Sequence, residues 1–411
     1  MHPVLNKLAS HSVAVFVFLS VVQVLCATYF LTAPRFGAIN SLLFLGCGIG
    51  SSFCILYLPP IEFSTVVIIN RQLLLKLLSV LAFLPVSYSV VRNTLDNTPV
   101  QIEYADMLPI IGVMCQRFLS GPINDVYSPI PQIWNGIQPI YLPAMWLPFC
   151  TSFVAHFDMR WVTVGGIWLS VTLCILPAWK KNHAIWFYMS ALTTLLAWLH
   201  VNETHNVIRL SEEGVVFLYY SLFTVAIISR NAWAIGGTAA LCLLSRYAII
   251  GWLPFAVICL LHKREYKFLL KMVAAGSLVT ALLIVPFGIK SLSFQLQLPY
   301  QYISHAERVW KETPEHFYQS LGMAKFSGPS HVRLLHDVLV WGSFLLPLLF
   351  YIFLRKKNFC NTNILLAGLQ LTLSFFYSFL DVPYLYLFYT PVFVSLVIAG
   401  WCLTCSNKST T

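Results

Sequence analysis

The run FLLKMVAAGSLVTALLIVPF, residues 268–287, is the clearest indication of the fold class of this chain. It is about 20 residues long, which is the length that an α-helix needs to cross the hydrocarbon core of a bilayer. The basic residues Lys263, Arg264 and Lys267 precede it, and Lys271 lies in its first turn. Basic residues gather on the cytoplasmic side of membrane helices. The run therefore predicts a spanning helix whose amino end lies inside.

The rest of the chain has the same character. Of its 411 residues, 58% are apolar and only 10% are charged, which is too little charged surface for a soluble protein. The apolar runs are continuous, so they favour helices over the short alternating strands of a barrel. We predict an all-α, polytopic membrane protein of about 11–13 transmembrane helices. The further runs are 12–32, 39–58, 73–91, 143–157, 162–178, 184–200, 214–229, 232–245, 247–262, 335–354, 363–380 and 384–404.

Two long polar stretches divide this single domain, residues 1–411, into five parts. These are the amino-terminal spans (1–91), a first external loop (92–142), middle spans (143–287), a second external loop (288–334) and carboxy-terminal spans (335–411). The basic turn Arg355-Lys356-Lys357 is assigned to the cytoplasm, which puts both loops outside if the amino terminus is inside. The seven runs between the loops are an odd number, so one of them should not cross. The first candidate is 143–157, which is short and contains Pro143 and Pro148; the others are the short runs between 232 and 262.

The net charge is +10, and the basic residues that give rise to it lie at the ends of apolar runs and form no contiguous soluble patch. A nucleic-acid partner is therefore not expected. Most of the eleven Cys lie inside apolar runs, so they do not indicate a disulfide framework. The first apolar run lacks the small-residue end of a cleavable signal peptide. The lack of a retrieval tail and the general character of the chain favour a bacterial inner (plasma) membrane, so we predict a multi-pass protein there whose active site faces outward.

There are fifteen acidic residues, and Asp106 differs from the others by its context. It follows a membrane run and precedes the helix-like stretch 107–120, so one interpretation is that it caps that helix. The other interpretation is a general base at the membrane surface, where a partly desolvated carboxylate can accept a proton from an attacking hydroxyl. Asp158 and Glu265 fall in short turns that we assign to the cytoplasm.

Arg246 is the most informative cation, because it lies between two apolar runs. A charge at mid-bilayer costs about 2.5–3.5 kcal/mol on insertion scales, so it needs a partner or a function. It either binds a lipid phosphate, or extends to the interface or pairs with a nearby Glu. Other cations that we place outside are Arg117, Arg209, Lys290 and Arg308. Seven aromatic residues of these loops belong either to an interfacial aromatic belt or to a surface that stacks on sugar rings: Trp134, Tyr141, Trp146, Tyr300, Tyr302, Trp310 and Tyr318.

Several enzyme classes lack their motifs here. The chain has no Asp-x-Asp, no Walker A sequence, no His-Glu-x-x-His and no Gly-x-Ser-x-Gly. We therefore predict no metal ligands and no certain cofactor, with a divalent cation left open.

The layout resembles the bacterial branch of the GT-C glycosyltransferases, which are multi-span enzymes that use polyprenyl-phosphate-linked sugars. The resemblance covers about residues 92–334. It rests on Asp106, Arg117-Phe118-Leu119-Ser120-Gly121, Tyr127 and Tyr141-Leu142-Pro143, on Ser229-Arg230-Asn231 and Arg246…Pro254, and on the second external loop. The chain departs from the family in an additional amino-terminal hairpin and in having Arg246 where Lys is commoner. It also has Leu210-Ser211-Glu212-Glu213-Gly214 in place of a frequent Gly-Gln pair.

The resemblance implies an inverting transfer of a sugar from a polyprenyl-phosphate carrier to a glycan or glycolipid acceptor on the outer face. Asp106 would be the catalytic base. Arg246, with Arg209, Lys290 or Arg308, would hold the carrier phosphate. Glu212 or Glu213 would orient the acceptor, and Arg117 and Tyr127 belong to the substrate-binding loop. The alternatives are a transporter or flippase of lipid-linked sugars, which needs no base, and a non-catalytic subunit of a glycan-assembly complex.

Overall fold

The fold was analysed in a computed structural model that describes residues 2–28, 37–60, 71–133, 136–177, 183–201, 207–288, 298–315, 318, 320–357, 359–378 and 385–404. Helices make up the regular structure of these residues. Within them the only extended pairing is an isolated bridge between Ile130 and Ile137. The all-α prediction is therefore confirmed for the described part of the chain.

The helices are numbered in chain order. The first half contains α1 His2–Thr28, α2 Gly37–Leu56, α3 Arg71–Asp96, α4 Met107–Ser120, α5 Pro143–Trp146, α6 Cys150–Ala155, α7 Arg160–Ile175, α8 Ala184–Val201 and α9 Val207–Leu210. The second half contains α10 Glu213–Ile228, α11 Ala232–Leu243, α12 Trp252–His262, α13 Tyr266–Ile284, α14 Leu298–Glu312, α15 Ala324–Ser327, α16 Val332–Leu354, α17 Asn361–Ser378 and α18 Tyr389–Cys402.

Length and composition make a membrane the natural environment of this bundle. Among the described residues, five helical segments are long and apolar enough to cross a bilayer: His11–Thr28, Gly37–Leu56, Ala184–Val201, Tyr266–Phe287 and Pro329–Leu354. The outer face of α13 exposes Leu270, Leu278 and Leu282 at 59–70% of their surface. A row of exposed large apolar side chains is unfavourable in water and favourable against lipid. Both observations fit an α-helical membrane protein.

The basic turns meet at one end of the bundle. Arg230, after α10, lies 2.5 Å from the Oε2 atom of Glu265, in the turn between α12 and α13. Asn361, at the start of α17, donates to the other oxygen of Glu265. Asn363 donates to the carbonyl of Leu58, beyond α2, at 2.7 Å. These contacts define the basic end, which contains Arg230, residues 263–265 and residues 355–357.

The two polar stretches meet at the opposite end, which we call the loop end. The hydroxyl of Tyr386 contacts the Met107 sulfur at 3.2 Å, which joins the start of α4 to the segment before α18. The backbone N–H of Met323, in the second polar stretch, donates to the Ser378 carbonyl at 2.7 Å. Residues of both polar stretches therefore lie at the same end, as the sequence analysis required.

The run 143–157 does not extend from one end of the bundle to the other. It is divided into α5, a 3₁₀ turn at Leu147–Phe149 and α6. The backbone N–H of Ala144 donates to the Leu244 carbonyl at 3.1 Å, and Arg160, after the run, donates to the Thr98 carbonyl at 2.6 Å. Both margins of the run thus stay at the loop end, in agreement with its selection as the first candidate for a non-crossing segment.

Because the run 143–157 does not cross, the assignment of Asp158 to the cytoplasmic side needs correction. We expected Asp158 in a cytoplasmic turn, but its carboxylate binds Arg160, which in turn holds the carbonyls of Thr98 and Leu95 beside the first polar stretch. The expectation was wrong because it assumed that the preceding apolar run crosses. Glu265 does lie at the basic end.

Helices α7 and α10 cross in close contact beside the loop end. A Cβ atom placed on Gly166 would lie 2.2 Å from the Gly214 carbonyl oxygen, and one on Gly214 would lie 2.0 Å from the Thr163 carbonyl oxygen. These neighbours are backbone atoms and cannot rotate away. Small residues therefore permit the crossing.

Replacing Gly166 by Ala should destabilise the protein by about 1–3 kcal/mol, because the added methyl group forces the two backbones apart. The neighbouring Gly165 is the matched control, since a Cβ there meets nothing within 4 Å. Gly165→Ala should leave stability unchanged or raise it slightly, because Ala favours helix. Chemical denaturation in mixed micelles measures both variants. Equal stability of the two would contradict the close crossing.

Candidate functional site

The candidate site is built on the junction of α9 and α10 at the loop end. The Thr163 hydroxyl of α7 donates to the Ser211 carbonyl at 2.7 Å, and the Glu213 N–H donates to the Ser211 hydroxyl at 3.1 Å. These bonds and the Gly166–Gly214 crossing fix the start of α10. Glu212 and Glu213 are both completely buried there.

Arg246 reaches the two glutamates from the next hairpin. It follows α11, which returns beside α10, and its backbone is extended with φ −143° and ψ 135°. Its Nε atom donates to Glu213 Oε1 at 2.8 Å, and its Nη2 atom lies 3.1 Å from Glu212 Oε1. Nη2 also donates to Glu213 Oε1. Pairing with a nearby Glu, one of the alternatives for Arg246, is therefore confirmed.

The glutamate–arginine cluster, Glu212, Glu213 and Arg246, leaves polar atoms unsatisfied. Among the described residues, neither the Oε2 atom of Glu212 nor that of Glu213 has a hydrogen-bond partner, and both atoms are buried. A buried acceptor without a donor costs about 1–3 kcal/mol, and more when it is charged. The Arg246 side chain is 29% exposed, whereas the glutamate side chains are 0% exposed, so the cluster opens on the side of Arg246.

Asp106 acts on this cluster electrostatically. Burial raises the pKa of Glu212, which lies in the turn before α10, to about 7; Arg246 opposes this rise, and the charges of Glu213 and Asp106 add to it. Asp106 itself occupies the N-cap position of α4, yet its side chain makes no capping hydrogen bond to that helix. The capping interpretation is therefore not what the structure contains. The half-buried carboxylate instead lies within electrostatic range of Glu212.

The cluster lies below the level that a full span would reach. Helix α10 has 16 residues and α11 has 12. At 1.5 Å per residue they rise roughly 24 Å and 18 Å from the basic end. The hydrocarbon core of a bilayer is about 30 Å thick. Glu213 and Arg246 therefore lie below the loop-side level that a helix of full spanning length would reach.

The structure gives Arg117 and Tyr127 supporting positions in the first polar stretch. Arg117 donates to the carbonyls of Asp125 (3.2 Å), Ser128 and Pro129 (3.0 Å), and so holds the turn that follows α4. The Tyr127 hydroxyl donates to the Tyr141 carbonyl and accepts from the Trp146 indole, both at 3.1 Å. Neither residue is among the contacts of the cluster. Both stabilise the part of the first polar stretch that follows α4.

The other predicted site residues lie outside the cluster. Arg209 is a half-buried residue of α9, three positions before Glu212. Arg308 is an exposed residue of α14 and does not contribute to the contacts of the cluster. Lys290 lies outside the described residues. Tyr141, Trp146 and Trp310 are all buried, so these three do not form an exposed belt.

Two supporting tyrosines were not predicted. The Tyr219 hydroxyl donates to the Ala144 carbonyl at 3.0 Å, and the Tyr220 hydroxyl approaches the Arg246 carbonyl at 3.5 Å. They link α10 to α5, just after the first polar stretch, and to the backbone of Arg246. The signal was available, because both follow Glu213 by two turns of the same helix.

No group of three or more His, Cys, Asp or Glu side chains in the described part of the chain is arranged to hold a metal ion. Comparison of the chain with known protein families, with curated proteins and with solved structures finds no match.

Proposed function

We propose that this protein is an inverting glycosyltransferase of GT-C type, which moves a sugar from a polyprenyl-phosphate carrier to an acceptor on the outer face of a bacterial inner membrane. One observation carries the proposal. Asp106, placed at a helix start without capping that helix, lies within electrostatic range of a buried glutamate–arginine cluster at the loop end. Titratable groups that converge in this way are more common at functional sites than elsewhere.

In the proposed reaction Asp106 accepts the proton of an acceptor hydroxyl. The hydroxyl oxygen attacks the anomeric carbon from the face opposite the carrier. A bond forms between that oxygen and the carbon, and the bond from the carbon to the phosphate oxygen breaks. The polyprenyl phosphate leaves with the electron pair, and the single displacement inverts the anomeric configuration.

The leaving phosphate needs a positive charge nearby. Arg246 can supply it, because its bonds to the glutamates use Nε and Nη2, whereas Nη1 makes none of these bonds. Arg209, which lies in α9 three residues before Glu212, supplies a second positive charge.

The direct test uses purified protein in vesicles, a labelled polyprenyl-phosphate sugar and a panel of glycan and glycolipid acceptors. Release of carrier phosphate with formation of a glycosylated acceptor supports the transferase. Movement of intact lipid across the vesicle without cleavage would instead identify a flippase. If neither event occurs with any donor, both activities are rejected.

The orientation can be tested with thiols. Cys360, just before α17, is exposed at the basic end. Tyr104 is 56% exposed in the first polar stretch. In a Cys405→Ser background, a membrane-impermeant maleimide added to intact cells should label Tyr104→Cys, whereas Cys360 should react only after permeabilisation. Labelling of both from the same side would refute an outward-facing site.

A further inference from the structure

A groove of about 240 Å³ lies between α3, α7 and α8, and none of its lining residues belongs to the glutamate–arginine cluster. The groove is open to the surroundings of the protein, because its lining residues on α3 are only half-buried and Thr193 of α8 is exposed at its edge. Beside it, the outer face of α3 exposes Leu74 and Leu78. Exposed apolar side chains of this kind are favourable against lipid, so the groove is accessible from the bilayer.

The groove lies within one leaflet of the bilayer. The far end of α3 is at the loop end, where the Leu95 carbonyl accepts a hydrogen bond from Arg160. From Lys76, at the other end of the groove, α3 rises roughly 28 Å to Leu95, close to the ~30 Å thickness of the hydrocarbon core. Lys76 is therefore at the level of the lipid headgroups on the side of the basic end. The groove follows α3 from Lys76 to Leu84, a rise of roughly 12 Å, which is less than the depth of one leaflet.

A hydrogen-bonded crossing of the three helices closes the end of the groove that is farther from Lys76. The Ser87 hydroxyl of α3 lies 2.5 Å from the Nε2 atom of His200 in α8, and the Trp168 indole of α7 donates to the same hydroxyl at 2.8 Å. Ser87 and His200 are buried. A hydrocarbon chain that enters from the side of the basic end therefore stops near the middle of the bilayer.

The groove combines apolar walls with one positive charge. Lys76 is the only charged side chain among the described residues that line it. Its Nζ atom donates to the carbonyl of Pro177, just after α7, and a carbonyl holds an ammonium group in place without neutralising its charge. In the wall, the Thr172 hydroxyl is satisfied by the Trp168 carbonyl at 2.7 Å. Hydrocarbon walls below a cation at the headgroup level are complementary to a lipid that carries a phosphate.

We propose that the groove between α3, α7 and α8 binds an anionic phospholipid of the leaflet on the side of the basic end. One acyl chain fills the groove, and the phosphate lies against the Lys76 ammonium. Charge complementarity favours this occupant, because a phosphatidylcholine headgroup would bring a second ammonium towards Lys76. A polyprenyl chain is longer than a groove that ends at Ser87. The bound lipid packs α3 against α7 and α8, whether or not the protein transfers sugars.

The test is photo-crosslinking of the reconstituted protein in phosphatidylcholine vesicles. The probe is a trace of phosphatidylglycerol with a diazirine in its acyl chain, and mass spectrometry identifies the labelled peptides. We expect the label mainly within residues 76–84, 168–175 and 189–196, about fivefold above the label from phosphatidylcholine with the same photoreactive chain. Excess unlabelled phosphatidylglycerol should remove the label, whereas the same amount of polyprenyl phosphate should not. Even labelling of all lipid-facing helices, equal labelling by the two probes, or stronger competition by polyprenyl phosphate would overturn the proposal.

Replacing Lys76 by Gln should lower the label in the groove about fivefold, because the phosphate loses its cationic partner. Lys271→Gln is the matched control, since Lys271 is an exposed lysine near the start of α13 and does not line the groove. It should leave the label unchanged. An equal loss in both variants, or no loss in either, would mean that Lys76 does not bind the headgroup.

A second variant keeps the proposal testable if Lys76→Gln folds poorly. Thr193→Trp places an indole at the open edge of the groove and should remove most of the label. Thr194→Trp is its control, because Thr194 is also exposed on α8 but is not a lining residue. If Thr193→Trp kept the label of the wild-type protein, no acyl chain would occupy the groove.

Discussion

Replacing Asp106 by Asn should lower sugar transfer by about 10²–10⁴-fold, the usual contribution of a general base. The amide keeps the shape of the carboxylate but cannot take up the proton of the acceptor hydroxyl. Folding should be preserved, because the Asp106 side chain makes no capping bond to α4 that the substitution would remove. The rate of carrier-phosphate release under saturating donor and acceptor measures the effect.

Asp125→Asn is the matched control for this substitution. Asp125 belongs to the same polar stretch, is exposed, and contributes its backbone carbonyl to the Arg117 network. Its side-chain charge should therefore be dispensable, and the variant should retain wild-type turnover. If Asp106→Asn also turned over at the wild-type rate, the general-base assignment would have to be abandoned.

The end-to-end course of the helices could be predicted from charge and length. The basic residues at 230, 263–264 and 355–357 predict a single cytoplasmic face, and the structure brings these turns together at one end. The odd number of runs between the two polar stretches pointed to a segment that does not cross. Pro143 and Pro148 identified the broken one, since proline interrupts helical hydrogen bonding.

The pairing inside the site could be predicted only in part. Glu213 directly precedes one apolar run and Arg246 directly follows the next, so an antiparallel hairpin brings both to the same end. That argument leaves open whether Arg246 binds a phosphate, extends to the interface or pairs with a Glu. The choice depends on side-chain directions, which the close crossing at Gly166 and Gly214 determines through backbone contacts distant in sequence.

Arg117 and Tyr127 show the opposite difficulty. Both are polar residues in a loop that the family resemblance marks as substrate-binding, and both use their polar groups within that loop. A sequence pattern indicates that an Arg or a Tyr is needed at a position. It does not indicate whether the partner of that side chain is a ligand or a backbone carbonyl a few residues away, because both accept the same hydrogen bond.

Replacing Arg246 by Ala should destabilise the protein by about 3–5 kcal/mol, the cost of leaving buried charge without its partner. Both glutamate side chains are 0% exposed, so water cannot take the place of the guanidinium. Arg230→Ala at the basic end is the control. Its partner Glu265 is 21% exposed and is also held by Asn361, so the loss there should be clearly smaller.

The cause of the loss can be isolated by neutralising the glutamates. In a Glu212→Gln, Glu213→Gln background, Arg246→Met should cost much less than it costs in the wild-type protein, since no buried charge is then stranded. Denaturant titration in mixed micelles measures the free energy of unfolding of each of the four proteins: the wild type and the glutamine background, each with and without Arg246→Met. An equal cost in both backgrounds would mean that Arg246 stabilises the bundle by packing rather than by charge.

Arg246→Lys separates the structural role of the side chain from its role toward the donor. Lysine retains the positive charge that balances the glutamates, but it lacks the planar set of donors with which arginine can bind glutamate and phosphate together. The variant should fold and should raise the donor KM more than the acceptor KM. An equal increase in both would remove the carrier phosphate from the functions of Arg246 and leave it solely as the group that positions Glu212 and Glu213.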